Sequence, residues 1–471
     1  MNLRQTLAVI SACLATGPSV CWSEPYPSTY QRLPSGPVRI VNATLLTGTG
    51  ERIDNGSLLM ADGRIQAVAD GSKRLRSGSV DTGAAQVVDA DGRWVTPGLI
   101  DVHSHLGVYA SPGVEAHSDG NEATAPVTAQ VWAEHSLWPQ DPGFSRALAG
   151  GVTAMQILPG SANLMGGRGV TVKNVPSVSY QGMKFPGAPH SLKMACGENP
   201  KRVYGERMQT PSTRMGNFAG YRAEWVAAQK YIHDWEEYEQ RIAAGESVPA
   251  SGDDNAHTTP VRDLKLETLA GVLRGEILVH MHCYRADEMM TVLDMAREFG
   301  YRVSAFHHGA EAYKIAGELA EQGVCGALWA DWWGFKAEAY DGIQENIALV
   351  DRPAGGCAIV HSDSEEGIQR LNQEAAKAMT RGRRAGLDIP PERAIRWITS
   401  NAARSLGILE QTGTLEPGKM ADVVIWNGNP FSVYALADQV FVDGALVYDR
   451  ADPALQPVSD FELGQQLEGA E

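Results

Sequence analysis

Residues 98–105 read Gly-Leu-Ile-Asp-Val-His-Ser-His. An apolar run that ends in alternating polar groups predicts a buried strand reaching the surface at its last residues. Side chains two apart on a strand face the same way. His103 and His105 therefore point together, about 6–7 Å apart along the backbone, and can close on one metal ion. A single pair of this kind is equally well a hydrogen-bonded couple. The pattern recurs, however. The run 277–282 ends His280-Met281-His282, the run 302–309 ends His307-His308-Gly309, and the run 358–363 ends His361-Ser362-Asp363. Four apolar strands finishing in His or Asp would bury polar groups at a cost unless those groups are paired. Their recurrence at strand ends points to metal binding.

Outward from these runs, apolar strand-like stretches alternate with helical ones. Strands are expected in GLIDVHSH, GVTAMQILPG, SLKMACG, EILVHMH, RVSAFHHG, GVCGALWADW and GCAIVHSD, with helices over 286–299, 310–322 and 365–384. This is the α/β pattern of a parallel sheet. Seven strand ends, with an eighth hidden in the insertions, predict an eight-stranded barrel of the (β/α)8 kind, whose C-terminal rim gathers catalytic groups. Three stretches break the regularity, 115–140, 168–191 and 199–267, the last containing a helix around 225–241; loops of that length shape substrate pockets. Gly166-Gly167-Arg168-Gly169 has the wrong spacing for a phosphate loop and is read as a turn. Both ends of the chain are β-rich, in VRIVNATLLTG, GSLLMADGRIQAVAD and AQVVDADGRWVTPG, then ADVVIWNGNPF and DQVFVDGALVYD. The expected division is 1–23 leader, 36–96 β-domain, 97–405 barrel, 406–450 returning β-domain and 451–471 tail.

The 40 Lys+Arg against 56 Asp+Glu give a net charge of −16, which argues against a nucleic-acid partner. The first residues carry Arg4, an apolar run over 7–20 and small residues near Ser23, the outline of a secretory signal peptide. Export to a bacterial periplasm is the expectation, with lipoprotein anchoring at Cys13 a minor one, and no integral membrane segment is expected in the mature chain. Cys196, Cys283, Cys325 and Cys357 remain after the leader. They are read as buried free thiols, because a chain this large needs no staples, although an exported chain permits disulfides.

Lys193 lies inside the apolar run Ser191-Leu192-Lys193-Met194-Ala195-Cys196. A bare ammonium there is disfavoured, so it is either paired to a carboxylate or carbamylated by CO₂ to bridge two cations. Glu198 is the alternative bridge, although its place past Gly197 suits a helix start.

These residues resemble the amidohydrolase superfamily, in its imidazolonepropionase-like and prolidase-like branch. The resemblance rests on 95–105 (VTPGLIDVHSH), Leu192-Lys193-Met194, the HMH and HHG strand ends, His361-Ser362-Asp363 and 413–424 (GTLEPGKMADVV). It covers almost the whole chain after the leader. It implies a distorted (β/α)8 TIM-like barrel with a small β-sandwich built from both chain ends, and one or two divalent ions, commonly zinc. The ligands it implies are His103, His105, carbamylated Lys193 if two ions bind, one His from each of the fifth and sixth strands, and Asp363. His280 is chosen over His282 because it ends the apolar run, although the two share a face. His308 is chosen over His307 because the family reads His-Gly and adjacent strand residues point oppositely. Where relatives read Gly-Thr-Asp, this chain has His361-Ser362-Asp363, which gives His361 a supporting or substrate role.

The implied activity is hydrolysis of a C–N bond in an amide, peptide or cyclic amide, with Asp363 as the proton carrier. A dipeptidase or carboxypeptidase needs a cation for the substrate carboxylate. Arg285 leads, with Arg202, Lys201 and Arg168 behind it and Tyr204 as a hydroxyl donor; His282 and His361 are further candidates. The expected partner is a small molecule or short peptide, and a homo-oligomer stays open. The alternatives are a metal-dependent deaminase and a non-catalytic scaffold of the same fold. Deaminases of this superfamily carry Glu three residues past the fifth-strand His, and from His280 that position is Cys283. A scaffold would be expected to have lost ligands.

Overall fold

In the computed structural model, residues 26–71, 85–246, 259–332 and 334–456 are described. The expected leader lies outside them, as does the tail beyond residue 456. The chain opens with β1 (Val38–Leu46), β2 (Arg52–Ala61), β3 (Arg64–Asp70), β4 (Gln86–Asp89) and β5 (Trp94–Pro97). The barrel strands follow as β6 (Leu99–Ser104), β7 (Val152–Ile157), β8 (Met165–Lys173), β9 (Ser191–Ala195), β10 (Leu278–His282), β11 (Val303–His307), β12 (Cys325–Leu328) and β13 (Ala358–Val360). The chain returns to the first sheet with β14 (Val423–Trp426), β15 (Ala437–Val442) and β16 (Ala445–Asp449).

The terminal strands make one eight-stranded sheet, ordered β16-β15-β14-β5-β1-β2-β3, with β4 also on β1. It bends round its own core of Ile40, Leu45, Leu58, Ile65, Val95, Val423 and Phe441. The two chain ends meet where β14 pairs antiparallel with β5, Val424 opposite Thr96. Lys173 at the end of β8 ties this domain to the barrel. Its ammonium lies 2.7 Å from Asp443 and 3.2 Å from Asp422, and all three side chains are buried.

The second sheet runs in chain order from β6 to β13. Every residue of β6 and β7 is buried, as expected where both faces of a parallel strand are covered. The barrel draws shut between its last strand and its first, where the Asp363 amide donates to the His103 carbonyl. Helix Ala286–Phe299 packs outside it, burying Met289, Val292, Leu293 and Ala296, and stops at Gly300 in the left-handed conformation.

The structure revises the sequence reading in two places here. The 166–169 run is not a turn but part of β8, the hidden eighth strand, and it lies antiparallel to both β7 and β9. Gly167 sits at φ +121 with the Val131 carbonyl 2.5 Å from where a Cβ would be, so glycine serves a close backbone approach inside a strand. The cysteines, expected as free thiols, form disulfides Cys196–Cys283 and Cys325–Cys357. The reason is lateral register. His282 pairs with Ala195, so the next residues of β9 and β10 emerge side by side, Cα atoms 5.2 Å apart and within disulfide reach. Thiol titration of the unfolded, unreduced protein is expected to find none of these four cysteines free; four reactive thiols would contradict both pairings.

Candidate metal centre

The C-terminal ends of the barrel strands open into a pocket of about 540 Å³, whose lining includes His103, His105, His282, His308 and Asp363. His103 and His105 leave β6 on one face as their spacing requires, with Nε2 atoms 3.2 Å apart. Asp363 Oδ1 stands 3.3 Å from His103 Nε2 and 3.2 Å from His105 Nε2, while its Oδ2 lies 3.8 Å from His308 Nε2. His308 and Asp363 both adopt positive φ, +61 and +51. For a histidine that conformation is uncommon and carries strain, which gathers at functional sites. It also explains why two adjacent residues both face inward. The β11 strand ends at His307, and the left-handed turn brings His308 into the mouth rather than out of the barrel.

Lys193 sits on β9 level with His280, and its long side chain climbs one layer. Its Nζ donates to the Pro159 carbonyl at 3.1 Å and reaches 3.4 Å from His103 Nε2. Burial pushes its ammonium down to about 8, which favours the neutral amine that carbamylation requires. Burial likewise holds His103, His282 and His308 well below the ordinary imidazole range, so each is neutral and free to ligate. Asp101, raised by burial to about 6, accepts from the His103 and Ser362 amides and the Ser362 hydroxyl, joining β6 to the last strand.

The donor set fits a cation. His105 Nδ1 bonds the Leu158 carbonyl at 2.8 Å, which places the ring proton there and leaves Nε2 a lone pair. That lone pair, a carboxylate oxygen and His103 Nε2 stand 3.2–3.3 Å apart. Donors at ~2.0–2.1 Å from one tetrahedral ion are about 3.4 Å from each other. His103, His308 and Asp363 also offer atoms that all lie within 4.8 Å of one another. His282 stands beside this set, its ring 4.9 Å from that of His308.

Several expected residues stand elsewhere. His280 is fully buried below the mouth, bonded to His307 at 2.8 Å and to the Ser405 carbonyl at 3.2 Å. The fifth-strand position in the pocket is therefore His282, because alternation gives residues 280 and 282 the same side but different depths. Three residues past His282 stands Arg285, so the glutamate expected of a deaminase is still missing. Arg285 is paired with Asp287 on the outer surface, in a separate groove. Arg202 is exposed on helix Glu198–Gly205 and Lys201 does not line the pocket. Arg168 is buried over the Trp132 ring and donates to Thr268, and the Tyr204 hydroxyl donates to the Ala125 carbonyl. His361 is buried beneath the mouth, 4.7 Å from the His308 ring and 5.2 Å from the His103 ring, rather than in the pocket. Glu198 opens its helix and lies 3.7 Å from Lys336, away from the ligand cluster.

The sequence reading passed over the opposite wall, Tyr284, Trp329, Trp332, Phe335 and Lys336. Lys336 Nζ lies 4.6 Å above the Tyr284 ring and donates to Asn199 at 3.1 Å. Most of the wall follows β12, so the rule that marks strand ends as functional would have reached it.

The amidohydrolase family profile matches residues 339–450. The amidohydrolase tasK of Hapsidospora irregularis is 34% identical over 387 residues, covering 79% of this chain, and the chain spans 38% of that protein's length. An imidazolonepropionase of Mesorhizobium japonicum is 27% identical over 407 residues, 80% of this chain and 87% of the relative. The crystal structure of an amidohydrolase from Thermotoga maritima superposes with a TM-score of 0.76 at 35% identity, over 88% of this chain and all of the other. A barrel that gathers histidines and one aspartate at its C-terminal rim, and this likeness along nearly the whole chain, place the protein in the amidohydrolase family, enzymes that hydrolyse C–N bonds.

Proposed function

We propose that this chain is an exported, metal-dependent hydrolase of small amides, cyclic amides or short peptides that carry a carboxylate. The observation that carries this reading is the convergence of the ligand cluster with a half-buried cation, Lys336, in a single pocket. His103, His105 and Asp363 would hold one divalent ion, with zinc the first choice. His282 and His308 would hold a second, and Lys193, if carbamylated, would supply a further negatively charged oxygen ligand. When bound, such an ion activates water as a nucleophile and polarises the scissile carbonyl. Asp363, one oxygen turned to His103 and His105 and the other toward His308, takes the proton from the attacking water. It delivers that proton to the leaving nitrogen as the C–N bond breaks and the new C–O bond forms. The aromatic wall offers ring faces against which the apolar part of the substrate packs. Two disulfides support export, since such bonds persist in oxidising compartments. Among the described residues no helix is long and apolar enough to cross a membrane.

The test is metal analysis together with a panel of dipeptides, their C-terminal amides and cyclic amides. Stoichiometric zinc and turnover of the carboxylate-bearing members are expected; a metal-free, fully active protein would sink the reading. Lys336→Met is expected to raise KM for those members about 10- to 100-fold, the value of one hydrogen bond to a charged group, with a smaller effect on kcat. Equal KM for acids and their amides in the wild type would remove Lys336 from this role.

A further inference from the structure

From the ligand cluster downward three buried imidazoles stand in line, the first of them His103 itself. His103 Nδ1 is 2.8 Å from His307 Nδ1, and His307 Nε2 is 2.8 Å from His280 Nδ1. His280 Nε2 is 3.2 Å from the Ser405 carbonyl. These rings are at most 1% exposed. Ser405 ends the helix Ser400–Ser405, where the last carbonyls have no amide of their own helix to receive. Among the described residues no other backbone amide reaches this oxygen.

The direction of every bond in the line follows from that carbonyl. A carbonyl only accepts, so His280 Nε2 carries a hydrogen. A neutral imidazole has one such hydrogen, which leaves His280 Nδ1 a lone pair that accepts from His307 Nε2. His307 Nδ1 is then the acceptor, and His103 must donate from Nδ1. What remains on His103 is an Nε2 lone pair, directed at the space between His105 Nε2 and Asp363 Oδ1. The reverse order would set a lone pair of His280 against the lone pairs of the Ser405 oxygen. Among the described residues no carboxylate pairs with His280 or His307, so neither ring has a counter-charge that would hold a second hydrogen in the barrel core.

We infer that the Ser405 carbonyl, acting through His280 and His307, fixes the tautomer of His103 and so presents its Nε2 lone pair to the metal. His280 and His307 are thus positioning residues. His105 receives the same instruction in one step from the Leu158 carbonyl. The inference rests on the proposed reading of His103 as a ligand. It also gives a use to two histidines that would otherwise be costly polar groups in a barrel core.

The test uses full-length protein labelled with ¹⁵N-histidine and stripped with chelator, then titrated with zinc alone. Ring-nitrogen shifts are expected to show His103, identified by its loss in His103→Asn, protonated at Nδ1. His280→Leu removes the acceptor for His307 and should move the His103 hydrogen to Nε2. Zinc affinity should weaken about 10- to 100-fold, as for lost partners of ligating histidines. His280→Gln, whose amide can donate to Ser405 and accept from His307, should restore affinity to within a few-fold of wild type. Wild-type His103 protonated at Nε2 overturns the inference whatever the variants do, and so does wild-type zinc affinity in folded His280→Leu. Failure of the wild type to bind zinc would instead overturn the ligand reading beneath it.

Discussion

Asp363→Asn is expected to lower kcat about 10³-fold, within the 10²–10⁴ range that a positioned proton carrier contributes. The substitution keeps the shape of the side chain and an oxygen able to ligate, but its amide cannot take a proton from water. Metal should be retained, because His103, His105, His282 and His308 are untouched and only one donor is weakened. The fold should be retained as well. The bond that draws the barrel shut here runs from the residue 363 backbone amide to the His103 carbonyl, and the side chain takes no part in it. Steady-state kinetics at saturating zinc, with metal content and a thermal melt on the same sample, separate these effects. Activity within tenfold of wild type at full metal content would move the proton transfer to another group.

Lys173→Met is expected to destabilise the protein by about 3–5 kcal/mol at pH 7, the cost of leaving buried carboxylates without their cation. The side chain that replaces the lysine fits the surroundings, which are the Met420 sulfur and the Tyr30 and Phe185 rings. The loss is therefore electrostatic rather than a cavity. Asp443 keeps the Tyr30 hydroxyl, and Asp422 keeps the Thr412 hydroxyl and the Asp443 amide, but neither keeps a positive charge. Burial already raises the Asp422 carboxyl, with Lys173 opposing that rise. Without the lysine it rises further. A carboxyl whose folded pKa lies above its unfolded value binds more protons folded than unfolded, so stability increases as pH falls through that window. Urea midpoints at pH 7 and pH 5 should thus show a smaller loss at pH 5. An equal loss at both would assign the effect to packing. The position matters because Lys173 ends a barrel strand while Asp422 and Asp443 belong to the returning sheet, so the network couples the two domains.

The residues proposed to ligate metal at strand ends were legible because alternation is a local property. From His103-Ser104-His105 alone, a shared face and a metal-ligand spacing follow from backbone geometry. The same reasoning reached Lys193 through the cost of an ammonium in an apolar strand. It failed on His280 and His282, since alternation reports which side a residue faces and not how deep along the barrel it lies. It also failed to see that His307 faces inward together with His308, because a positive φ ends the alternation at that residue. Strand β8 escaped notice because its Gly-Gly-Arg-Gly opening has the composition of a loop. Only the approach of the Val131 backbone gives those glycines a reason to lie in a sheet.

The closing of the two chain ends into one domain was implied by the resemblance to the amidohydrolase superfamily, whereas the chain's linear order settled the fold class, the β-rich character of both ends and the kinds of residue that meet at the barrel rim. Each of these depends on periodicity and on contacts between segments that repeat a pattern. What it left open are choices between lateral neighbours. Cys196 meets Cys283 because of the register between β9 and β10. Lys336, rather than Arg285, enters the pocket because the loop after β12 folds over the mouth while Arg285 turns outward to Asp287. Register, depth and loop course are set by packing among residues far apart in the chain, and no local pattern encodes them.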